Sequence, residues 1–315
     1  MRALVTGAAG FVGSHLVEAL VAQGDTVLGV DCFTPYYDVA QKRANAAAFA
    51  GPAVELVDAD LRTAAIEPLL DGIDVVFHQA AQPGVRLSWS SGFVEYVEQN
   101  VIVTQRLLEA VLSAGSRRVV YASSSSVYGH QARYPVREDD LPAPFSPYGV
   151  TKLAAEHLCD VYAENWGLPT VSLRYFTVYG PRQRPDMSIH RLCESALGGD
   201  GFRRYGDGGQ VREFTFVSDI VAGNLAAAAA DVAPGTTVNL AGGGEITLSD
   251  LIVMVGKLAG SPVVVEARPM EPGDSRRNGG AVDRAHELLG WEPRVSLEDG
   301  IVAQLAWHRS RVASR

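Results

Sequence analysis

The chain has 315 residues, enough for one large or two small domains, and its 47% hydrophobic and 20% charged content excludes a disordered polymer. With 27 Lys and Arg against 36 Asp and Glu, the formal net charge of −9 disfavours general binding to nucleic acid or an anionic membrane and points to small-molecule partners. Cys32, Cys159 and Cys193 are an odd, widely separated trio with no C-x-x-C pair. Neither a disulfide framework nor a zinc site is readable from them, and apolar filler in a reducing cytoplasm is expected. The first residues read as a strand, not as a charged leader, and the alanine-rich stretch 224–233 is far shorter than the roughly 20 residues of a membrane span. A soluble cytoplasmic protein with no resident metal is the expectation.

In chain order, short β-branched runs at residues 3–5, 26–30, 54–57, 74–77, 118–122 and 170–173 alternate with longer amphipathic segments. Apolar runs separated by helices predict a parallel sheet covered on both faces, a Rossmann-like doubly wound α/β domain. Beyond Tyr175 the rhythm loosens at Gly198-Gly199, Gly206-Asp207-Gly208-Gly209, Gly242-Gly243-Gly244 and Gly279-Gly280, which predicts a smaller α+β region. The expected division is 1–175, onto which later helices can pack back, and 176–315.

The first run leads into Gly7-Ala8-Ala9-Gly10-Phe11-Val12-Gly13, which opens a helix over Phe11–Ala22. Glycines so spaced let the backbone approach a pyrophosphate, which then sits on the N–H groups and positive dipole end of the helix. Gly7, Gly10, Phe11, Val12 and Gly13 are therefore candidate dinucleotide contacts. Asp31 ends the second run close to the roughly 20-residue offset at which a carboxylate receives the adenine-ribose hydroxyls. Its neighbours Cys32 and Phe33 offer no cation to a 2′-phosphate, so NAD is favoured over NADP. Asp60, Leu61, Ala80 and Ala81, at later strand ends, are candidates for the rest of the cofactor path.

The fifth run ends in Ser123-Ser124-Ser125-Ser126, and Tyr148-Gly149-Val150-Thr151-Lys152 follows on a helix opened by Ser146-Pro147. Tyr-x-x-x-Lys puts both side chains on one helical face. An ammonium there favours the phenolate, so the tyrosine can take a proton from a substrate hydroxyl near neutral pH. Lys152 can also hold the nicotinamide ribose, and a serine at the sheet edge can bridge the same substrate oxygen.

With Asp58-Ala59-Asp60-Leu61-Arg62, His78-Gln79-Ala80-Ala81 and Arg174-Tyr175-Phe176-Thr177-Val178-Tyr179-Gly180-Pro181, the chain resembles the extended short-chain dehydrogenase/reductases of the NAD-dependent sugar epimerase/dehydratase family over nearly its whole length. The resemblance implies that Ser124, Tyr148 and Lys152 are catalytic and that Asn100, Tyr175 and Val178 lie near NAD. It also implies that 1–175 binds the cofactor, that 176–315 binds the sugar nucleotide, and that two copies pair through helices near 92–114 and 147–166. Leu153, Leu158, Val161 and Tyr162 are the expected outer apolar set of that homodimer.

Ser125-Ser126 stand where the family's dehydratases carry Asp-Glu and its decarboxylases a glutamate, so 4-epimerisation through a transient 4-keto sugar is implied. The runs at 36–38, 80–86 and 177–187 resemble UDP-glucuronic acid 4-epimerases, which implies interconversion of UDP-glucuronate and UDP-galacturonate. A C6 carboxylate wants hydroxyl and N–H donors plus a guanidinium, which Ser126, Thr177 and Arg184 can supply, with Arg86 and Arg191 as further candidates, while Ser125 and Met187 are candidates for other substrate contacts. By the same resemblance Tyr205 and Arg212 lie in the segment that binds the UDP diphosphate, and Asp274 matches a ribose-binding acid. Gln79 and Asn278-Gly279-Gly280-Ala281 depart from the family pattern. A UDP-glucuronate decarboxylase, a UDP-glucose 4-epimerase and a non-catalytic NAD-binding sensor module are the competing readings.

Overall fold

The computed structural model describes residues 1–115, 117–242, 244–269 and 276–313. The six β-branched runs are strands close to their expected bounds: β1 (Arg2–Thr6), β2 (Thr26–Asp31), β3 (Val54–Asp58), β4 (Val75–His78), β5 (Arg118–Ser124) and β6 (Thr170–Tyr175). Between them lie α1 (Phe11–Ala22), α2 (Val39–Ala48), a run of α3 (Phe93–Tyr96), π-helical Val97–Ile102 and α4 (Val103–Ser113), and α5 (Pro147–Trp166). The start of α5 is written in its sequence. Ser146 Oγ accepts from Gly149 N–H at 3.1 Å, Pro147 needs no N–H partner, and Gly167 closes the helix at a φ of 66°.

The later half adds β7 (Val178–Tyr179), α6 (Ser188–Ala196), β8 (Phe202–Tyr205), β9 (Val211–Glu213), β10 (Thr215–Phe216), α7 (Val217–Ala229), β11 (Thr236–Leu240), β12 (Glu245–Thr247), α8 (Leu248–Ala259), β13 (Val265–Arg268), α9 (Asp283–Leu289) and α10 (Leu297–Ala313). The main sheet is seven-stranded, ordered β11-β6-β5-β4-β1-β2-β3, and every neighbouring pair is parallel.

Both faces of that sheet are covered, as the unbroken apolar runs require. Alternation along β1 sends Ala3 and Val5 to a layer with Leu16, Leu20, Leu173 and Ile220, and Leu4 to a layer with Leu107, Val111, Cys159 and Tyr162. A separate core of Ile189, Leu192, Phe214, Leu251 and Ile301 holds α6, α8 and α10 together. A single cut at residue 175 does not follow these layers. β11 pairs with β6 in the main sheet, and Ile220 and Leu240 bury in the layer of α1. The seventh strand, β11, lies within the glycine-punctuated stretch whose loosened rhythm predicts a separate region, and only its pairing with β6 brings it into the main sheet. All three cysteines are free thiols, with Cys159 and Cys193 buried.

Candidate active site

The strand order turns back between β1 and β4, and the carboxyl ends of these strands open on a cleft of about 1240 Å³. Parallel sheets bind ligands at this switch point. The volume exceeds the roughly 300–1,000 Å³ of a pocket for one small ligand, so a dinucleotide and a second ligand fit together.

The glycine turn is shaped for close approach. Gly7 has a φ of +68°, and a Cβ there would stand 2.9 Å from the Ala80 backbone; a Cβ on Gly13 would stand 2.1 Å from the Gly7 carbonyl oxygen. Gly10 caps α1 without a side chain, so Phe11 and Val12 present the helix N-terminus to the cleft. Asp31 lines the same end, its carboxylate accepting from Ala9 N–H at 3.1 Å and Phe33 N–H at 2.8 Å. Helix α2 brings Lys42 to 3.9 Å from Asp31, and Lys42 also donates to Thr34 Oγ1 at 2.9 Å. That cation corrects the expectation that no positive group stands beside Asp31; it comes from the next helix, not from the strand end. These features fit NAD, with Gly7, Gly10 and Gly13 for the pyrophosphate and Asp31 for the ribose.

Leu61, Ala80, Ala81, Tyr175 and Val178 line the cleft. Asp60 does not. Its carboxylate grips Arg62 at 2.7–3.1 Å, which holds it below the usual carboxylate range, and Arg62 reaches on to Glu95 and Glu98. Asn100 also lies behind the wall and not in it. Buried on the π-helical turn, it accepts from Gln82 N–H at 2.7 Å, donates to Gln82 O at 3.1 Å, and donates to Thr151 Oγ1 at 3.0 Å. It positions Gln82, which does face the cleft. Ala80 is set in a similar way: its N–H donates to Thr6 Oγ1 at 3.1 Å, and buried His78 bridges Thr6 and Thr104 at 2.8 and 3.0 Å. Burial and Lys152 push the His78 pKa down to about 3, so it stays neutral.

Ser124 ends β5, and Tyr148 and Lys152 lie one turn apart at the start of α5, all three in the cleft wall. The Tyr148 ring meets the Tyr96 ring edge-on at 6.1 Å, and Tyr96 OH is shared between the carbonyls of Pro83 and Gly84 at 2.8 and 2.7 Å. The expected phenolate-favouring ammonium is corrected here. Burial raises the Tyr148 pKa, while a hydrogen bond from Ser124 and the charge of Arg184 work to lower it. Burial also pushes Lys152 down to about 7, with its Nζ lying 4.4 Å from the Tyr121 ring centroid. A pattern of spacing cannot show how much solvent each group loses.

Ser125, Ser126, Thr177, Met187, Arg86, Arg191, Tyr205 and Arg212 also line the cleft. Arg86 stacks over the Tyr205 ring at 4.3 Å, and Thr177 Oγ1 accepts from Asn278 Nδ2 at 3.2 Å. Arg184 lines the cleft but is engaged: it donates two hydrogen bonds of 3.0 Å to Asp186, which also accepts from Tyr36 OH at 3.2 Å. Asp186, Tyr36, Lys42, Gln79 and Gln82 are cleft residues that the sequence reading did not assign to a ligand. Gln79 accepts from Tyr175 OH at 3.1 Å and donates to Asn224 at 2.9 Å, so its departure from the family pattern has a local polar role. Asp274 lies outside the described residues.

Residues 3–241 match the family described as NAD dependent epimerase/dehydratase. The chain is 39% identical over 311 residues to the uncharacterized UDP-glucose epimerase YtcB of Bacillus subtilis, covering 98% of each chain. It is 35% identical over 319 residues to the UDP-glucuronate 4-epimerase of Thermodesulfobacterium geofontis, covering 98% of this chain and 96% of that one. Its structure matches a crystal structure of UDP-glucuronic acid 4-epimerase from Bacillus cereus in complex with UDP-glucuronic acid and NAD, with a TM-score of 0.95, 40% identity, and coverage of 99% and 100%. The glycine turn, the seven-stranded sheet and the serine, tyrosine and lysine at its edge thus place this chain in the NAD dependent epimerase/dehydratase family.

Proposed function

We propose that the chain interconverts UDP-glucuronate and UDP-galacturonate by inverting C4 of the sugar. What carries the reading is the full-length match at 40% identity to an enzyme holding UDP-glucuronic acid and NAD, together with the same chain's Ser124, Tyr148 and Lys152 in one cleft. NAD, when bound, supplies reversible two-electron chemistry at C4. Tyr148 takes the proton of the C4 hydroxyl and later returns it, aided by the Ser124 hydroxyl and the positive Arg184, both of which favour its phenolate. Lys152 and Asp31 hold the two riboses of the cofactor, and the glycine turn its pyrophosphate. Arg86, Tyr205 and Arg212 face the UDP end, and Ser125, Ser126, Thr177 and Arg184 the C6 group, with Met187 and Arg191 beside them.

The cofactor half comprises 1–175 together with α7 and β11, and the remainder forms the substrate half. No helix of the described residues is long and apolar enough to cross a membrane. The three free thiols suit the cytoplasm. Two copies pair through the helical run 93–113 and α5.

A UDP-glucose 4-epimerase is the second reading, favoured by the Arg184–Asp186 pair, which already occupies the guanidinium meant for a carboxylate. The purified chain, incubated with NAD and with either UDP-glucuronate or UDP-glucose, separates the two when products are resolved by chromatography. We expect UDP-galacturonate from the first and little turnover of the second. UDP-pentose would instead identify a decarboxylase. Rapid conversion of UDP-glucose alone would replace our reading with the second.

A further inference from the structure

Outside the cleft lining, α6 and α10 bring three metal-ligating side chains together. His190 and Glu194 lie one turn apart on α6, His308 lies on α10, and their ligand atoms are all within 4.8 Å of one another. His190 Nδ1 sits 2.7 Å from the backbone carbonyl oxygen of Gln183. A carbonyl only accepts, so Nδ1 carries the ring proton, and in the neutral ring the Nε2 lone pair points at the Glu194 carboxylate 3.2 Å away. His308 is 5% exposed, and its Nε2 is buried with no hydrogen-bond partner among the described residues. A proton on His190 would satisfy the His190–Glu194 contact and still leave His308 Nε2 unsatisfied. One cation satisfies all three atoms.

We propose that His190 Nε2, a Glu194 carboxylate oxygen and His308 Nε2 bind one divalent transition ion of the zinc class, which ties the C-terminal helix to a wall of the substrate cleft. Two imidazoles and a carboxylate suit zinc and its neighbours, whereas calcium and magnesium take oxygen ligands. Tetrahedral bonds of about 2.0–2.2 Å place neighbouring ligand atoms about 3.3 Å apart, close to the His190–Glu194 spacing. Glu194, whose side chain is 53% exposed, is free to turn toward His308, and that exposure leaves the fourth position to water.

The surrounding residues support the donor set. The Gln183 side chain accepts from His190 N–H and from Gln304 Nε2, each at 2.8 Å, which fixes the loop that sets the His190 tautomer. Arg311, engaged with Gln41 and the Trp307 ring, brings a like charge to the same face, so the affinity rests on the donor atoms more than on a negative field. Ser188 and Arg191, on the same helix as His190, line the cleft, which makes the ion a brace for that wall.

The test uses the full-length, tag-free chain, stripped with a chelator and titrated with Zn²⁺ against a chromophoric competitor. We expect one equivalent per chain, a higher melting temperature with Zn²⁺, and the visible bands of tetrahedral cobalt when Co²⁺ replaces it. His308→Gln should weaken Zn²⁺ at least tenfold and abolish the cobalt bands. If that variant fails to fold, Glu194→Gln, changed at an exposed side chain, decides the matter and should also weaken Zn²⁺ at least tenfold. No saturable equivalent in the parent chain, or unchanged affinity in the folded variants, overturns the proposal.

Discussion

Lys152 shows how a site residue works against its own fold. Its ammonium is buried, and burial drags its pKa to about 7 from a value near 10.5. Below pH 7 the lysine is charged in both the folded and unfolded chains, so the folded state bears the full desolvation penalty. Between about 7 and 10.5 the unfolded chain keeps a proton that the folded chain has released, so stability rises with pH over that window. Lys152→Met should therefore stabilise the NAD-free chain by on the order of 2–4 kcal/mol at pH 6, with the gain shrinking as pH climbs above 7, and should abolish turnover. Urea titrations at pH 6 and pH 9 check it; an equal gain at both would show that the lysine's charge is not what costs stability. Tyr148→Phe keeps the ring against Tyr96 and removes only the hydroxyl, so it should fold and bind NAD yet lose several orders of magnitude in turnover. Near-parental rates would remove Tyr148 from the reaction.

At the scale of elements, α5 is pinned to the sheet by buried charge as well as by its cap. Glu156, one turn beyond Lys152, accepts from Ser123 at 2.6 Å and from Arg174 through two nitrogens, while Arg174 also donates to Tyr128 OH at 2.7 Å. Tyr128 OH in turn donates to Asn239 at 2.7 Å, so the network runs across β5, β6 and β11 into the helix that carries Tyr148. Glu156→Ala leaves the buried Arg174 guanidinium without its carboxylate and should cost about 3–5 kcal/mol. Denaturant midpoints of the variant and parent chains measure this, and a loss under 1 kcal/mol would mean that water or a repacked side chain replaces the pair.

The six strands and the openings of α1 and α5 were legible because each is announced by local chemistry: β-branched runs, Gly7 and Gly13, Ser146-Pro147. The glycine turn and the spacing of Tyr148 and Lys152 are local in the same way, whereas Ser124 is singled out from its serine run only by the family resemblance; the fold brings all three to one cleft. Side-chain pairings were not legible, even between near neighbours. A basic or acidic residue two positions away does not show that its side chain turns back, yet Arg62 takes the Asp60 carboxylate and Asp186 takes the Arg184 guanidinium, while Lys42 reaches Asp31 from the next helix. The His190, Glu194 and His308 cluster is the extreme case, since its third member arrives from the far end of the chain. Burial was equally hidden, and it reversed the expected direction for Tyr148.

For the whole molecule, the same gap between pattern and burial redraws the face through which two copies would pair. Tyr162 is buried and hydrogen-bonds Gln105 and Glu109, Leu153 packs beside Val127 and Tyr128, and Leu158 packs into the main core, so of the expected set only Val161 lies outside. What the helices expose instead is Val94 at 61%, Trp166 at 55%, and Ile102, Val150 and Val161 at 46% each. Large apolar side chains left in water on both α5 and the run before β5 are what a two-fold helical interface would cover. Light scattering at micromolar concentration should give about twice the 33.6 kDa chain mass. Ile102→Glu combined with Val161→Glu places a charge on each of these helices at side chains outside the cleft lining, and should give a monomer that still binds NAD. A parent chain that scatters as a monomer would show that these side chains simply remain solvated. A double variant that stays dimeric would move the interface elsewhere, with the exposed Leu87 and Trp89, in the loop before the same helical run, the next surface to probe.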